Sequence, residues 1–324
     1  MRIVLSTATW YAGDESLVGP FESSLRASAA GHEVVFVAPG GDLVREVRDA
    51  EVFFPLSGHF FTPDVLDAAV SLKWVHLASA GVDHALYPAL LKRPIVLTNG
   101  AGVYSIPIAE HVLAMMLALS RRIPEMIRQQ DRAKWSGLRG GELNGSTVLI
   151  VGVGGIGARV AALCKAMGMR VIGTRRRNDI VTPNVDTVLP AGELHGALGE
   201  ADWVVLCAPL TSETRHIIGA AELAMMKPTT RLINIARGAL IDECAMIEAL
   251  RENRIAGAGL DVFVEEPLPS DSPLWNLPQV IVAPHSGGAS PNSLARTLDL
   301  FQDNLRRYLA GEPLRNVVDK QAGY

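Results

Sequence analysis

Short apolar runs alternate with stretches of helical periodicity along most of the chain. In the first hundred residues the β-branched and aromatic runs at 3–5, 33–37, 52–55, 74–77 and 95–97 predict strands. Between them, 22–29 and 63–69 have the length and polarity of helices. The pattern then changes to a long apolar helix over about 106–121, with Ser105 as its candidate cap and Pro107 and Glu110 in its first turn. A less regular stretch follows, containing Trp135, Gly137, Gly140, Gly141 and Gly145. Strand-like runs return at 146–151, 170–173, 203–206, 231–235, 258–260 and 279–282. Ser290-Pro291 predicts a last helix start, and Leu294, Leu298, Phe301, Leu305 and Tyr308 recur beyond it at helical spacing. Strand and helix in alternation predict an α/β protein with parallel sheets covered on both faces.

The run 146–151 leads straight into Gly152-Val153-Gly154-Gly155-Ile156-Gly157, and 158–167 reads as a helix. Strand, GxGxxG and helix in that order is the context that a dinucleotide site requires. Gly152 permits the tight turn, and Gly154 lets the backbone approach a pyrophosphate. Gly157 lets helix and strand pack closely, and the helix N-terminus offers free N–H groups and partial positive charge. The first hundred residues hold no GxGxxG, so the first α/β unit is not expected to bind the dinucleotide.

A chain of 324 residues exceeds one ordinary core, so two domains are expected. Residues 1–98 with 286–324 form the first, completed by the last helix crossing back, and 99–285 form the second. Apolar residues at 48% and charged ones at 20% fit a packed globular protein rather than a disordered one. The net charge of −4 gives no reason to expect nucleic acid or an anionic membrane as partner. The longest apolar run, 112–119, is far short of the roughly 20 residues of a membrane span. The N-terminus turns polar too soon for a signal peptide. Cys164, Cys207 and Cys244 are odd in number and scattered, which points to a reducing, cytoplasmic compartment.

Three polar side chains follow predicted strands in the second half: Arg237, Glu266 and His285. The carboxyl ends of parallel strands line the ligand crevice of an open sheet. A guanidinium there can pair with a carboxylate and polarise a carbonyl. An imidazole can pass a proton to a developing alkoxide, and a carboxylate beside it can hold its tautomer. Glu265 is an alternative partner for the histidine. The set is suited to reducing a keto acid and contains no metal site.

The chain resembles the D-isomer-specific 2-hydroxyacid dehydrogenases over essentially its whole length. The resemblance lies in Asn99-Gly-Ala-Gly-Val-Tyr104 with Ala109-Glu-His111, in the glycine fingerprint, and in Pro209-Leu-Thr211 before Glu213-Thr214. It continues in Asn234-Ile-Ala-Arg237-Gly238, in Leu260-Asp-Val-Phe263 before Glu266-Pro267, and in Pro284-His-Ser-Gly-Gly288. It implies two Rossmann-like domains with parallel sheets, a flavodoxin-like substrate domain and a dinucleotide-binding domain, in a homodimer formed through the latter. By the same resemblance Arg237 binds and polarises a 2-keto acid, and His285 is the acid/base paired with Glu266. The turn Leu77-Ala-Ser-Ala-Gly81-Val-Asp83 resembles the loop that holds the substrate carboxylate, with Ala80 and Gly81 as the backbone donors. Gly152, Gly154, Gly155, Ile156, Gly157, Pro209, Ile235, Asp261, Ser286 and Gly287 fall to the cofactor, Asp261 at its nicotinamide end. Packing roles are expected for Asp83, His84, Glu110 and His111. Tyr104, Trp135 and Trp275 are aromatic candidates for the substrate pocket or a subunit contact.

One departure bears on the cofactor. NAD-preferring members carry an acidic residue after the strand that follows the fingerprint helix, whereas 170–173 runs here into Thr174-Arg-Arg-Arg177. Arg175 lies 18 residues past Gly157, near the roughly 20-residue offset of the ribose-reading position. Thr174, Arg175 and Arg176 therefore suit a 2′-phosphate, so NADP is the expected cofactor, with NAD possible. The expected function is hydride transfer between NAD(P)H and a small 2-keto acid, of the glyoxylate or hydroxypyruvate kind or bulkier. The competing reading is a dinucleotide-sensing, co-repressor-like binding protein that uses the same fold. The expected absence of disordered tails, of an added interaction segment and of an appended regulatory domain counts against it.

Overall fold

The first apolar runs form five parallel strands, β1 (Arg2–Ser6), β2 (Glu33–Val37), β3 (Val52–Pro55), β4 (Trp74–His76) and β5 (Val96–Thr98), in the order β2-β1-β3-β4-β5. A computed structural model describes residues 1–7, 15–176 and 182–324; Arg177, the end of the basic run, lies outside the described residues. Successive side chains of a strand point to opposite faces. Ile3, Leu5, Phe54 and Trp74 accordingly fill one core and Val4, Phe53 and Val75 the other. The first of these cores is closed by Leu294, Leu298, Phe301 and Leu305 of helix Pro291–Ala310, with Phe301 stacked on Phe54 and Trp74. This order is the flavodoxin-like arrangement.

The second sheet contains β6 (Thr147–Val151), β7 (Arg170–Arg175), β8 (Thr187–Pro190), β9 (Trp203–Leu206), β10 (Arg231–Asn234), β11 (Gly257–Leu260) and β12 (Val280–Val282). All pairs are parallel, in the order β12-β11-β10-β9-β6-β7-β8. Counted from β6, this is the Rossmann order with one strand added at an edge, and the order reverses between β6 and β9. The long helix Ser105–Ser120 packs its Ala109, Val112, Met115 and Met116 on one face of this sheet, with Val160, Ala161 and Cys164 of helix Gly155–Ala166.

The described chain divides into two compact units, Met1–Tyr104 with Ser290–Tyr324 and Ser105–Ala289. No helix among the described residues is long and apolar enough to cross a membrane. Three local expectations need correction. The turn at 101–104 runs straight into the long helix, so Ser105 is its first residue rather than its cap, and its buried hydroxyl has no partner among the described residues. The stretch after Arg121 contains a further helix, Ile123–Asp131, set off by Arg122 in a left-handed conformation (φ 57°). β8 was missed because it is a half-buried edge strand, whose neighbour on one side supplies the pairing that its short sequence does not advertise.

Candidate active site

Parallel pairing brings every strand end of the second sheet to one edge. Register sharpens this: Thr174, Val151, Leu206, Asn234, Leu260 and Val282 form one continuous row of paired residues across six strands. Of the residues that follow this row, Arg175 ends β7, and Gly152, Cys207, Ile235, Asp261 and Ala283 open the loops in which the expected site residues lie.

The glycine turn sits where the strand order reverses. Gly152 has φ 97°, and a Cβ there would lie 2.7 Å from the Cα and N of Ala208 in the loop after β9. A side chain at Gly157 would lie 2.3 Å from Gly152 O, so helix and turn approach as closely as backbone allows. Gly154 differs: its Cβ position is open space, at the N-terminus of helix Gly155–Ala166. Gly155 is exposed beside it, Ile156 packs half-buried on the core below, and Pro209 is exposed in the facing loop. Close packing on two sides and open space over Gly154 suit a cofactor's pyrophosphate, whose oxygens the helix N-terminus can receive.

The residues at the end of β7 divide in role. Thr174, expected to offer its hydroxyl outward, is buried, and its Oγ1 accepts the Gly152 N–H at 3.1 Å. It therefore holds the glycine turn from below. Arg175, half-buried, has Nη1 3.4 Å from Thr182 Oγ1, while Arg176 is exposed at the sheet edge.

Arg237 follows β10 in a turn that Asn234 fixes at both ends of its amide. Nδ2 donates to Arg237 O at 2.9 Å, and Oδ1 accepts the Ala236 N–H at 3.1 Å. Gly238 then lets this turn press on the loop after β11, since a Cβ would fall 2.0 Å from the carbonyl carbon of Phe263. That second loop carries Glu266, whose Oε1 accepts the Phe263 N–H at 2.9 Å and whose Oε2 lies 2.7 Å from His285 Nδ1. A carboxylate only accepts, so Nδ1 carries the proton and Nε2 remains for other chemistry. His285 is half exposed and adopts φ 51°, an uncommon conformation for a residue with a Cβ.

Asp261 supports that conformation. It is buried, and its Oδ1 and Oδ2 accept the Ser286 and Gly287 N–H groups at 2.8 and 2.9 Å, pinning the backbone just past His285. Burial alone would raise its carboxyl. The His111 ring and the two N–H groups outweigh that and hold it below the usual carboxylate range. His111 Nε2 is 3.6 Å from Asp261 Oδ1, longer than a hydrogen bond. The packing role expected for His111 is thus incomplete: its ring also lies against Gly287, where a Cβ would come within 3.0 Å of Cδ2. Asn234, which the sequence reading quotes only within a motif, and His111, to which it gives only packing, are supporting residues of the site. The signal was there in Asn234, a polar residue ending an apolar strand.

In the other unit, Ala80 and Gly81 lie half-buried after β4. Tyr104 of the same unit donates to Ala78 O at 3.0 Å; in the second unit Trp275 Nε1 donates to Pro269 O at 2.9 Å, and Trp135 is fully exposed.

Residues 113–287 match the family model described as "D-isomer specific 2-hydroxyacid dehydrogenase, NAD binding domain". A glyoxylate reductase of Korarchaeum cryptofilum is 36% identical over 287 residues, 86% of each chain. A D-3-phosphoglycerate dehydrogenase of Methanocaldococcus jannaschii is 37% identical over 86% of this chain; this chain spans about half, 53%, of its length. Among solved structures, a D-isomer specific 2-hydroxyacid dehydrogenase family protein of Aeromonas salmonicida superposes with a TM-score of 0.85 at 31% identity over 98% of both chains. An NADPH-dependent glyoxylate/hydroxypyruvate reductase of Sinorhizobium meliloti, solved with NADP and sulfate, does so at 0.83 and 29% over 100% of both. The strand orders, the glycine turn and the arginine, glutamate and histidine at one sheet edge agree with these likenesses, and the chain belongs to the D-isomer-specific 2-hydroxyacid dehydrogenase family.

Proposed function

We propose that the chain reduces a small 2-keto acid to the D-2-hydroxy acid with NADPH, and that glyoxylate and hydroxypyruvate are its substrate class. The reading rests above all on the 2.7 Å pair of His285 Nδ1 and Glu266 Oε2, at the sheet edge that also carries Arg237 and the glycine turn. The relatives named glyoxylate reductase, and the Sinorhizobium structure solved with NADP, support substrate class and cofactor. Gly152, Gly154, Gly155, Ile156, Gly157 and Pro209 would hold the pyrophosphate half, Arg175 and Arg176 the 2′-phosphate, and Ile235, Asp261, Ser286 and Gly287 the nicotinamide end. When bound, the reduced nicotinamide supplies the hydride.

The chain's own residues do the rest. Arg237 receives the substrate with its planar fork and draws electron density onto the carbonyl oxygen. His285 delivers the proton from Nε2 as that oxygen becomes an alkoxide. Glu266 fixes the ring, because Phe263 N–H occupies one carboxylate oxygen and leaves the other for Nδ1. In the first unit, the N–H groups of Ala80 and Gly81 bind the substrate carboxylate.

A panel of glyoxylate, hydroxypyruvate, phosphohydroxypyruvate and bulkier 2-keto acids, each with NADPH and NADH, tests the reading. Turnover of none, with tight dinucleotide binding, would return the protein to the sensing class. We also propose a cytoplasmic homodimer formed through the second unit. Exposed Ile127 and Trp135, near Met126 on and after helix Ile123–Asp131, supply apolar surface for it. The three cysteines are free. Light scattering on the purified chain tests the assembly.

A further inference from the structure

We propose that the segment after the last helix sets the affinity for the substrate carboxylate, with Asn316 and Asn99 as positioning residues behind the Ala80–Gly81 turn. The inference rests on the reading of that turn as the carboxylate site.

Three consecutive carbonyls of the turn are held. Ser79 O accepts the Gly100 N–H at 2.9 Å, Ala80 O accepts Asn99 Nδ2 at 2.7 Å, and Gly81 O accepts Ser79 Oγ at 2.8 Å. In a trans peptide the C=O of one residue and the N–H of the next point in opposite directions. The one cis bond among the described residues is Glu266–Pro267. Fixing Ser79 O and Ala80 O therefore aims the N–H groups of Ala80 and Gly81 away from Asn99 and Gly100. Neither N–H has an acceptor among the described residues, and both residues are half-buried. Adjacent backbone donors turned to one side form a cradle for an anion, and its shape is set by what grips the carbonyls behind it.

That grip leads back to the C-terminal segment. Asn99 is buried with both ends of its amide engaged, Nδ2 on Ala80 O and Oδ1 on the Ala101 N–H at 3.2 Å. Gly100 must lie against the turn, because a Cβ there would fall 2.1 Å from Ala78 O. Asn316 clamps this stretch: its O accepts the Asn99 N–H at 3.2 Å, and its Nδ2 donates to Asn99 O at 3.2 Å and Ala101 O at 2.8 Å. Asn316 has φ 54°, a conformation that asparagine tolerates better than most residues. Arg315 beside it is fixed by fully buried Asn304 of helix Pro291–Ala310, which accepts its N–H at 2.8 Å and donates to its O at 3.1 Å. Three asparagines thus connect the helix core to the two donors.

The test compares oxamate affinity, the KM for glyoxylate, kcat, NADPH affinity and thermal stability in the full-length chain. Asn316→Gly tolerates the positive φ, keeps the backbone carbonyl that accepts the Asn99 N–H, and deletes the two Nδ2 hydrogen bonds of the clamp; it should weaken oxamate and raise KM about fivefold, the weight of one net hydrogen bond. Asn99→Ala should weaken oxamate by more, about tenfold. NADPH affinity should stay unchanged in both. Lys320→Ala controls for general loosening, since its Nζ holds Leu90 O, Arg93 O and Ile95 O of the same unit. It should lower stability and leave oxamate binding alone. Wild-type oxamate affinity in both asparagine variants, or equal weakening in Lys320→Ala, overturns the proposal. A backbone ester at position 81, which removes one N–H, separates the two levels. If the ester weakens oxamate and the asparagine variants do not, the clamp alone fails. If the ester binds oxamate normally, the carboxylate reading of the turn fails with it.

Discussion

Replacing Gly154 by alanine tests whether the open space over the glycine turn belongs to a ligand. The position has extended backbone (φ −95°, ψ −153°), and nothing lies within 4 Å of the Cβ that alanine would add. The chain alone therefore accommodates the methyl without a clash, and the melting temperature should stay within about 2 °C of wild type. A phosphate that approaches the backbone here would meet the methyl and lose at least one charge-assisted hydrogen bond. At roughly 1.5–3 kcal/mol, NADPH affinity should fall about tenfold to a hundredfold. Gly152→Ala provides the contrast. Its φ of 97° and the 2.7 Å approach to Ala208 backbone combine strain with overpacking, for a destabilisation of about 2–5 kcal/mol. Fluorescence titration with NADPH and thermal melts on both variants give the comparison. Wild-type NADPH affinity in Gly154→Ala, or a stability loss matching that of Gly152→Ala, would refute the argument.

His285→Ala should lower kcat by about 10²–10⁴-fold while NADPH still binds; near-normal kcat in steady-state assays would remove the residue from the mechanism. Arg237→Lys keeps the charge but loses the planar fork, so kcat/KM for glyoxylate should drop at least about tenfold, and equal efficiency would contradict the role. Arg175→Asp should move the ratio of kcat/KM for NADPH and NADH toward NADH, because a carboxylate accepts the ribose hydroxyl and repels a 2′-phosphate; an unmoved ratio counts against Arg175 as the reader. Burial lowers the pKa of fully buried His76 to about 3. Between that value and the unfolded pKa the unfolded chain binds the extra proton, so stability rises with pH through this window and is lost on acidification. From pH 7 to pH 5 the loss attributable to His76 is about 2 kcal/mol; denaturant unfolding at the two pH values should show this slope flattened in His76→Gln, and an identical slope would exclude His76 as its source.

Local signals were strongest where one residue's chemistry has few alternatives. GxGxxG between an apolar run and a helix identified the dinucleotide turn, because glycine alone meets its φ and packing demands at Gly152 and Gly157. The apolar strands of both sheets were legible for a similar reason: a strand buried on both faces is apolar along its buried length, throughout in β3 and β9 and over the central residues of β1 and β6. The half-buried edge strand β8 and the helix Ile123–Asp131 lacked that imprint. Resemblance, rather than periodicity, pointed to the turn at Ala80 and Gly81.

By itself, then, the sequence determined two α/β units, the glycine turn and the residue types suited to keto-acid chemistry, since hydrophobic period and glycine chemistry act over a few residues. Tertiary structure decided which polar atoms meet. Glu266 rather than Glu265 lies against His285. Thr174 turns inward to Gly152, His111 stands by Asp261, and Asn316 reaches Asn99 from 217 residues away. Those pairings follow from strand order and register, where a shift by one residue turns every side chain to the other face. Strand order and register are fixed by the summed packing of distant segments, which no short stretch of sequence records.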